Sequence, residues 1–300
     1  MTIWMMDRRG FLKLTGAAAL VNLMEAVPGS CGITADLEGR RPAKPVTGQA
    51  VKDGMAGVQL SPEKDQLTKT RLFDEHFQDD YFLSRSQMPL LVSSLERFKR
   101  IQRLIGYGNF CIAGFDDAVT YARSYSRVGR FTKQELEFLE EIFYSPAREY
   151  GFLGEKTIPK MTAVINRKKT KKIPRTGNYL FKGKPVIMYK DIQKKIGQDA
   201  VLTSGIRGVI KQFLLFLNKA AASQGNLSMA SRSLAPPGYS FHGTGDFDVG
   251  EKGFGVDNFT EKFTQTRVYN QLSDLGYIKF RYDRTNNLGV RFEPWHVEVG

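Results

Sequence analysis

The chain has little with which to staple or anchor itself. Its 300 residues include two cysteines, Cys31 and Cys111, so no disulfide framework is available. There are only two tryptophans and three histidines. No run of eighteen apolar residues occurs, which excludes a transmembrane helix from the mature chain. Acidic residues are outnumbered, 31 against 44 Lys and Arg, for a net charge of +13. The hydrophobic fraction of 41% is ordinary for a globular protein, and the length allows one or two domains with proper cores.

The positive charge is concentrated. Arg167, Lys168, Lys169, Lys171, Lys172, Arg175, Lys182, Lys184, Lys190, Lys194 and Lys195 face one acid, Asp191, so this segment carries +10 of the +13. Such a segment either attracts polyanions (nucleic acid, acidic membrane or anionic wall polymers) or is a solvated surface that keeps the protein in solution.

The N-terminal Asp7-Arg8-Arg9-Gly10-Phe11-Leu12-Lys13 precedes an apolar stretch from Leu14 to Met24. A basic start followed by a short apolar segment fits a secretory signal, too short to span a bilayer comfortably. The paired arginines resemble a twin-arginine export signal, although Asp7 stands where Ser or Thr is usual. We therefore expect an export signal over 1–31 and an exported, periplasmic or cell-envelope protein. Residues 32–66 are rich in Gly, Pro, Lys and Asp and poor in large apolar residues, and read as a flexible linker.

Residues 67–160 read as a helical region of unknown role. Leu91, Leu95, Phe98, Ile101 and Ile105 recur at helical spacing up to Gly106. Phe115 to Ser126 reads as a second helix, with Asp116 and Asp117 in its first turn. Thr132-Lys133-Gln134-Glu135 is a capping box ahead of a third. Further on, the pattern predicts helices over 206–221 and 260–275. It then predicts a hairpin of strands 277–282 and 288–299 around the turn 283–287. Residues 161–300 are thus expected to form an α+β domain with antiparallel pairing and the basic segment at its start.

Two of the three histidines stand near acids. His242 lies in Ser240-Phe241-His242-Gly243-Thr244-Gly245-Asp246-Phe247-Asp248, and His296 ends Glu293-Pro294-Trp295-His296. Imidazole and carboxylate are the usual ligands of a catalytic zinc, which keeps three protein ligands. A nearby unligated carboxylate can serve as general base. If residues 242–248 are extended, His242, Asp246 and Asp248 project to one side, so either aspartate can share a metal with His242. Taken singly, each histidine is as readily explained by structural hydrogen bonds. His76 has no partner motif and reads as structural, and Trp295 as a packing residue.

Ser240-x-His242-x-x-Gly245-x-x-Asp248 followed by Glu293-x-Trp295-His296 resembles the VanY-type D-alanyl-D-alanine carboxypeptidases, zinc peptidases that share a fold with the Hedgehog signalling domain. Ser204-Gly205-Ile206-Arg207 is similar to that family's Ser-Gly-x-Arg motif, with Gln212 where the family often has Gln. Three motifs in the family's order, over roughly 180–300, are far more specific than any one alone. The resemblance implies a small antiparallel sheet flanked by helices, with the metal on the sheet face. It also implies Zn2+ held by His242, Asp248 and His296, and Glu293 as general base. Arg207 would stabilise the oxyanion, and Ser240 and Gln212 would contact substrate. The zinc would lower the pKa of a bound water to about 7.

One departure stands out. The family places its aspartate seven residues after the first histidine, and here position 249 is Val. Asp248 fits a one-residue shortening, with Asp246 the alternative. The implied function is a D,D-carboxypeptidase acting on peptidoglycan stem peptides. An endopeptidase of the same fold, or a non-catalytic envelope-polymer-binding scaffold, is the alternative. The export signal counts against a nucleic-acid partner and makes anionic wall polymers the natural partner of the basic segment.

Overall fold

The computed structural model describes residues 62–276 and 278–299. The export signal and all of the linker before residue 62 lie outside the described residues. The first described element is a helix, α1 (Pro62–Arg71), so helical structure begins inside the stretch read as linker.

The helical region follows the predicted apolar spacing closely. It contains α2 (Met88–Ile105), α3 (Tyr107–Ile112), α4 (Phe115–Ser124) and α5 (Lys133–Tyr144). At the start of α5 the capping box forms in both directions. Glu135 N donates to Thr132 Oγ1 at 3.1 Å, and Thr132 N donates to Glu135 Oε2 at 2.7 Å. Glu135 is itself buried and accepts both bonds of Arg97 Nη2, at 2.9 and 3.0 Å, which ties α5 to α2.

The basic segment makes the hairpin β1 (Thr170–Lys172) and β2 (Tyr179–Phe181), then α6 (Lys184–Ile196). Next come β3 (Ala200–Ser204), α7 (Val209–Ala222), α8 (Leu227–Ser233), β4 (Phe247–Glu251), α9 (Arg267–Asp274), β5 (Lys279–Phe280) and β6 (His296–Glu298). The four-stranded sheet has the order β3-β4-β6-β5, antiparallel throughout. The architecture is therefore α+β, a small antiparallel sheet flanked by helices and preceded by a helical region.

Three local expectations fail, each for a visible reason. The helix expected over 260–275 is broken into 3-10 turns at Gly255–Phe259 and Glu261–Gln265, and only α9 is α-helical. Thr260 and Thr266 both cap with their side chains, on Lys262 N and Tyr269 N, and each starts a new turn. The hairpin strands are much shorter than read. Glu293 N still bonds to Tyr282 O across the expected pair, but Leu288 and Arg291 bond instead to Leu153 and Arg232, so regular pairing is confined to β5 and β6. The first residue of that expected hairpin, 277, lies outside the described residues. Finally, residues 242–248 are not extended: His242 sits in the 3-10 turn Phe241–Gly243, and the strand begins at Phe247.

The buried apolar residues form two cores. One lies between the sheet and α6 and α9, with Phe247, Val249 and Val297 pointing into it. The other joins the helical region to α7 and α8. Phe213 on α7 is fully buried, with ring centroids 5.8 Å from Phe98, 6.2 Å from Phe115 and 6.2 Å from Phe143. The boundary drawn at 160/161 therefore runs through a single core. Removing that ring leaves a cavity shared by both sides, so Phe213→Ala should cost about 3–5 kcal/mol. In chemical denaturation the helical region and the sheet should lose that stability in one transition.

Candidate metal centre

The sheet places two of the site residues by register alone. Asp248 on β4 lies directly opposite His296 on β6, and opposite Ser204 at the end of β3. Directly paired residues project on the same face, so the alternation that sends Phe247 and Val297 into the core turns Asp248 and His296 to the other side. His242 arrives from the turn before β4. Its ring stands 4.7 Å from that of His296, edge to face.

Each imidazole is held by its far nitrogen. His242 Nδ1 lies 2.8 Å from Gly205 O, and His296 Nε2 lies 3.0 Å from Asp246 Oδ2. A carbonyl and a carboxylate only accept, so both of those nitrogens carry the proton. When both rings are neutral, their lone pairs are left on His242 Nε2 and His296 Nδ1. These two atoms and Asp248 Oδ1 are buried and have no hydrogen-bond partner. They face one another: Asp248 Oδ1 is 3.2 Å from His242 Nε2 and 3.4 Å from His296 Nδ1. Among the described residues this is the group of three whose ligand atoms converge, all within 4.8 Å.

That arrangement fits a zinc-sized ion. Ligand atoms 2.0–2.2 Å from a tetrahedral metal stand about 3.3–3.6 Å from one another. Buried polar atoms are rarely left unpaired, and three pointing at one point are accounted for by a shared cation. The two aspartates are separated by their surroundings. Asp246 is fully occupied, accepting from His296 Nε2, from Arg281 and from Val299 N at 2.9 Å. Asp248 gives one oxygen to Arg207 Nη2 and keeps the other free toward the histidines.

The electrostatics follow from burial and these contacts. Burial works against the charge on Asp248, but His242 and Arg207 hold the carboxyl well below the usual carboxylate range. Burial likewise opposes Asp246, whose bonds from His296 and Arg281 lower it. His242 is pushed below its ordinary value by burial and by Arg207. His296 goes the other way. Burial opposes its charge, but Asp246, with Glu293 and Asp248 nearby, raises it to about 9.

The remaining motif residues have distinct places. Glu293 is nearly buried, with Oε2 3.5 Å from His296 Nδ1, at the edge of the three ligand atoms. Arg207 lies in the loop before α7, not in its first turn, and Nε donates to Ser204 Oγ at 2.8 Å. Arg207 and Glu293 both line a cleft of about 300 Å³, together with Ser204, Lys211, Arg291 and Trp295. Gln212 and Ser240 do not line it. Gln212 is buried, its Nε2 bonded to Ala235 O, and Ser240 is buried with its carbonyl accepting from Thr157 Oγ1 at 3.1 Å. Asp246, Gly205 and Arg281 complete the site without having been assigned to it from sequence. Of these, Asp246, the alternative ligand, and Gly205, in the Ser-Gly-x-Arg motif, carried a readable signal, and Arg281 carried none.

Residues 186–299 match the family model VanY, D-alanyl-D-alanine carboxypeptidase. The resemblance read from the motifs holds over that segment. The matched segment contains every site residue named above, from Ser204 to His296. Two solved structures are similar to the chain. One is the LdcB LD-carboxypeptidase, described for its peptidoglycan recognition, at 25% identity over 43% of this chain and 63% of that one, TM-score 0.36. The other is a vancomycin-resistance D,D-pentapeptidase VanY variant in complex with Zn(II), at 21% identity over 44% of this chain and 78% of that one, TM-score 0.36. The chain thus spans less than two thirds of the LdcB structure. No curated protein matches it.

The two histidines should be distinguishable in the metal-free protein. His296, with its pKa raised from 6.5 to about 9, contributes stability that is complete below pH 6.5 and lost as pH rises through 9. The depressed His242 contributes above pH 6.5 and loses that contribution as pH falls. A proton NMR titration should show one imidazole titrating near 9 and one below 6.5. Asp246→Ala should bring the first down by at least one pH unit.

Proposed function

We propose that this chain is a zinc-dependent D,D-carboxypeptidase-like peptidase that hydrolyses peptidoglycan stem peptides in the cell envelope. The observation that carries this reading is the convergence of three buried, partnerless ligand atoms, on His242, Asp248 and His296, beside a cleft that holds Glu293. A bound zinc supplies Lewis acidity and makes a water molecule acidic enough to lose its proton near neutral pH.

The chain's own groups account for the rest. Gly205 O and Asp246 fix the two imidazoles so that their lone pairs need no reorganisation on metal binding. Glu293, at the cleft edge and outside the ligand set, takes the proton of the attacking water and returns it to the departing amine. Arg207 holds Asp248 in its anionic form and adds a fixed positive charge to the cleft wall, where negative charge develops on the scissile carbonyl. The burial of Gln212 and Ser240 supports positioning roles beneath the site in place of substrate contacts.

Glu293→Gln keeps the ligand set and removes the base. Zinc content by metal analysis should stay near one per chain. Release of the terminal alanine from a stem pentapeptide, followed by mass spectrometry, should fall by about 10²–10⁴-fold. Zinc binding with unchanged peptide in the unmutated protein would instead favour the envelope-binding scaffold.

The basic segment supports a second element of this reading, contact with anionic wall polymers. All eleven of its Lys and Arg are exposed, and its acid, Asp191, pairs with Lys195 at 3.3 Å. Retention on an immobilised polyanionic wall polymer should therefore weaken with salt. Changing Lys168, Lys169, Lys171 and Lys172 to Gln should lower the eluting salt concentration.

A further inference from the structure

The cleft beside the ligand atoms contains three cations, and two are already engaged. Arg207 gives Nη2 to Asp248 and Nε to Ser204 Oγ. Arg291 sits over the rings of Phe73 and Trp295, its Cζ 4.6 and 4.9 Å from their centroids, and gives Nη2 to Phe259 O at 3.1 Å, with Nε buried and unpaired. Lys211 is different. It lines the same cleft from the first turn of α7, is half-buried, and makes no hydrogen bond or ion pair with any described residue.

Little local favours a cation there: the Cys111 thiol helps only when ionised, and burial pushes that thiol up and keeps it neutral. The positive end of the helix dipole disfavours Lys in a first turn, and the guanidinium of Arg207 is close enough to repel it. Burial, too, pushes its amine below the usual lysine value. A half-buried ammonium persists against these costs where a bound anion offsets them. The acid that lines the cleft, Glu293, is the group needed for proton transfer.

We propose that Lys211 binds the free terminal carboxylate of the substrate peptide and so makes the cleft selective for chain ends over internal bonds. This rests on the peptidase reading and resolves its choice between carboxypeptidase and endopeptidase. A carboxylate seated between Lys211 and the engaged guanidiniums satisfies the unpaired donor. A chain continuing through the cleft as a neutral amide leaves it unsatisfied. Lysine suits the task as a compact point charge that needs no bidentate geometry.

The test uses the full zinc-loaded chain and one stem peptide in two forms, with a free C-terminal carboxylate and with a C-terminal amide. The unmutated protein should prefer the acid. In Lys211→Met that preference, measured as the ratio of kcat/KM values, should fall by about 10- to 100-fold, mainly through KM. Lys211→Arg should restore part of it, which a merely structural role does not explain. An acid preference unchanged in Lys211→Met overturns the proposal, as does turnover with no preference in the unmutated protein; the second result leaves the peptidase reading standing. Calorimetry of both peptides with Glu293→Ala separates the two ideas. Tighter binding of the acid that Lys211→Met abolishes, with no turnover by the unmutated chain, supports the subsite and overturns the peptidase reading. Equal binding of both forms overturns the subsite.

Discussion

The site depends on one buried negative charge. Asp248 is fully enclosed at the middle of the sheet, where an isolated carboxylate would cost several kcal/mol. Its position is not adjustable, because β4 is paired on both sides, with β3 and with β6. The neighbours must therefore come to it. Arg207 takes one oxygen, and the two histidines leave lone pairs facing the other. Without a cation at that point Asp248 is faced by two neutral acceptors or by a protonated His296, which Asp246 and Glu293, with Asp248, raise to about 9. A metal held there would displace that proton, so its binding would be coupled to pH.

The helical region acts on the same point from behind. The loop from Ser204 to Gly208 must bring Arg207 to Asp248 and Gly205 O to His242, and it does so in very little space. A Cβ on Gly205 would stand 2.1 Å from Tyr179 O, and one on Gly208 3.0 Å from Cys111 O. The basic hairpin and α3 thus close on the loop from either side, and only residues without side chains pass between them. Gly208 N also donates to Cys111 O at 2.7 Å, so the end of α3 sets where α7 begins. Residues 67–160 therefore help to build the floor on which the loop stands.

Much of this was readable in the sequence because the signals were local. The apolar spacing of α2, the Thr132–Glu135 box and the order of the three motifs each depend on residues close together along the chain. The failures depend on contacts far apart. The segment 288–295 has the composition of a strand and keeps one expected partner, Tyr282, but its other partners are Leu153 and Arg232, and neither is identifiable by periodicity. Gln212 matched a motif by spacing, yet α7 turns it to the core because its face is set by Phe213 and Leu217 against the helical layer. Arg281 was invisible for the same reason: its meaning comes from Asp246, 35 residues away.

The irregular interval between His242 and Asp248 shows how spacing and geometry come apart. Two equivalent aspartates require an extended 242–248, in which alternate side chains share a face. The chain instead makes a 3-10 turn at His242, with Gly245, at φ +148°, leading into the strand. That turn separates His242 from the alternation of β4, so the number of intervening residues no longer decides which acid it meets. The acids are divided by what surrounds them. Asp246, outside the strand, is saturated by Arg281, Val299 N and His296 and serves as the anchor of an imidazole. Asp248, inside the strand and opposite His296, retains the free oxygen. The length of the interval is thus taken up in the turn, and the acid that meets both histidines is fixed by its place in the sheet.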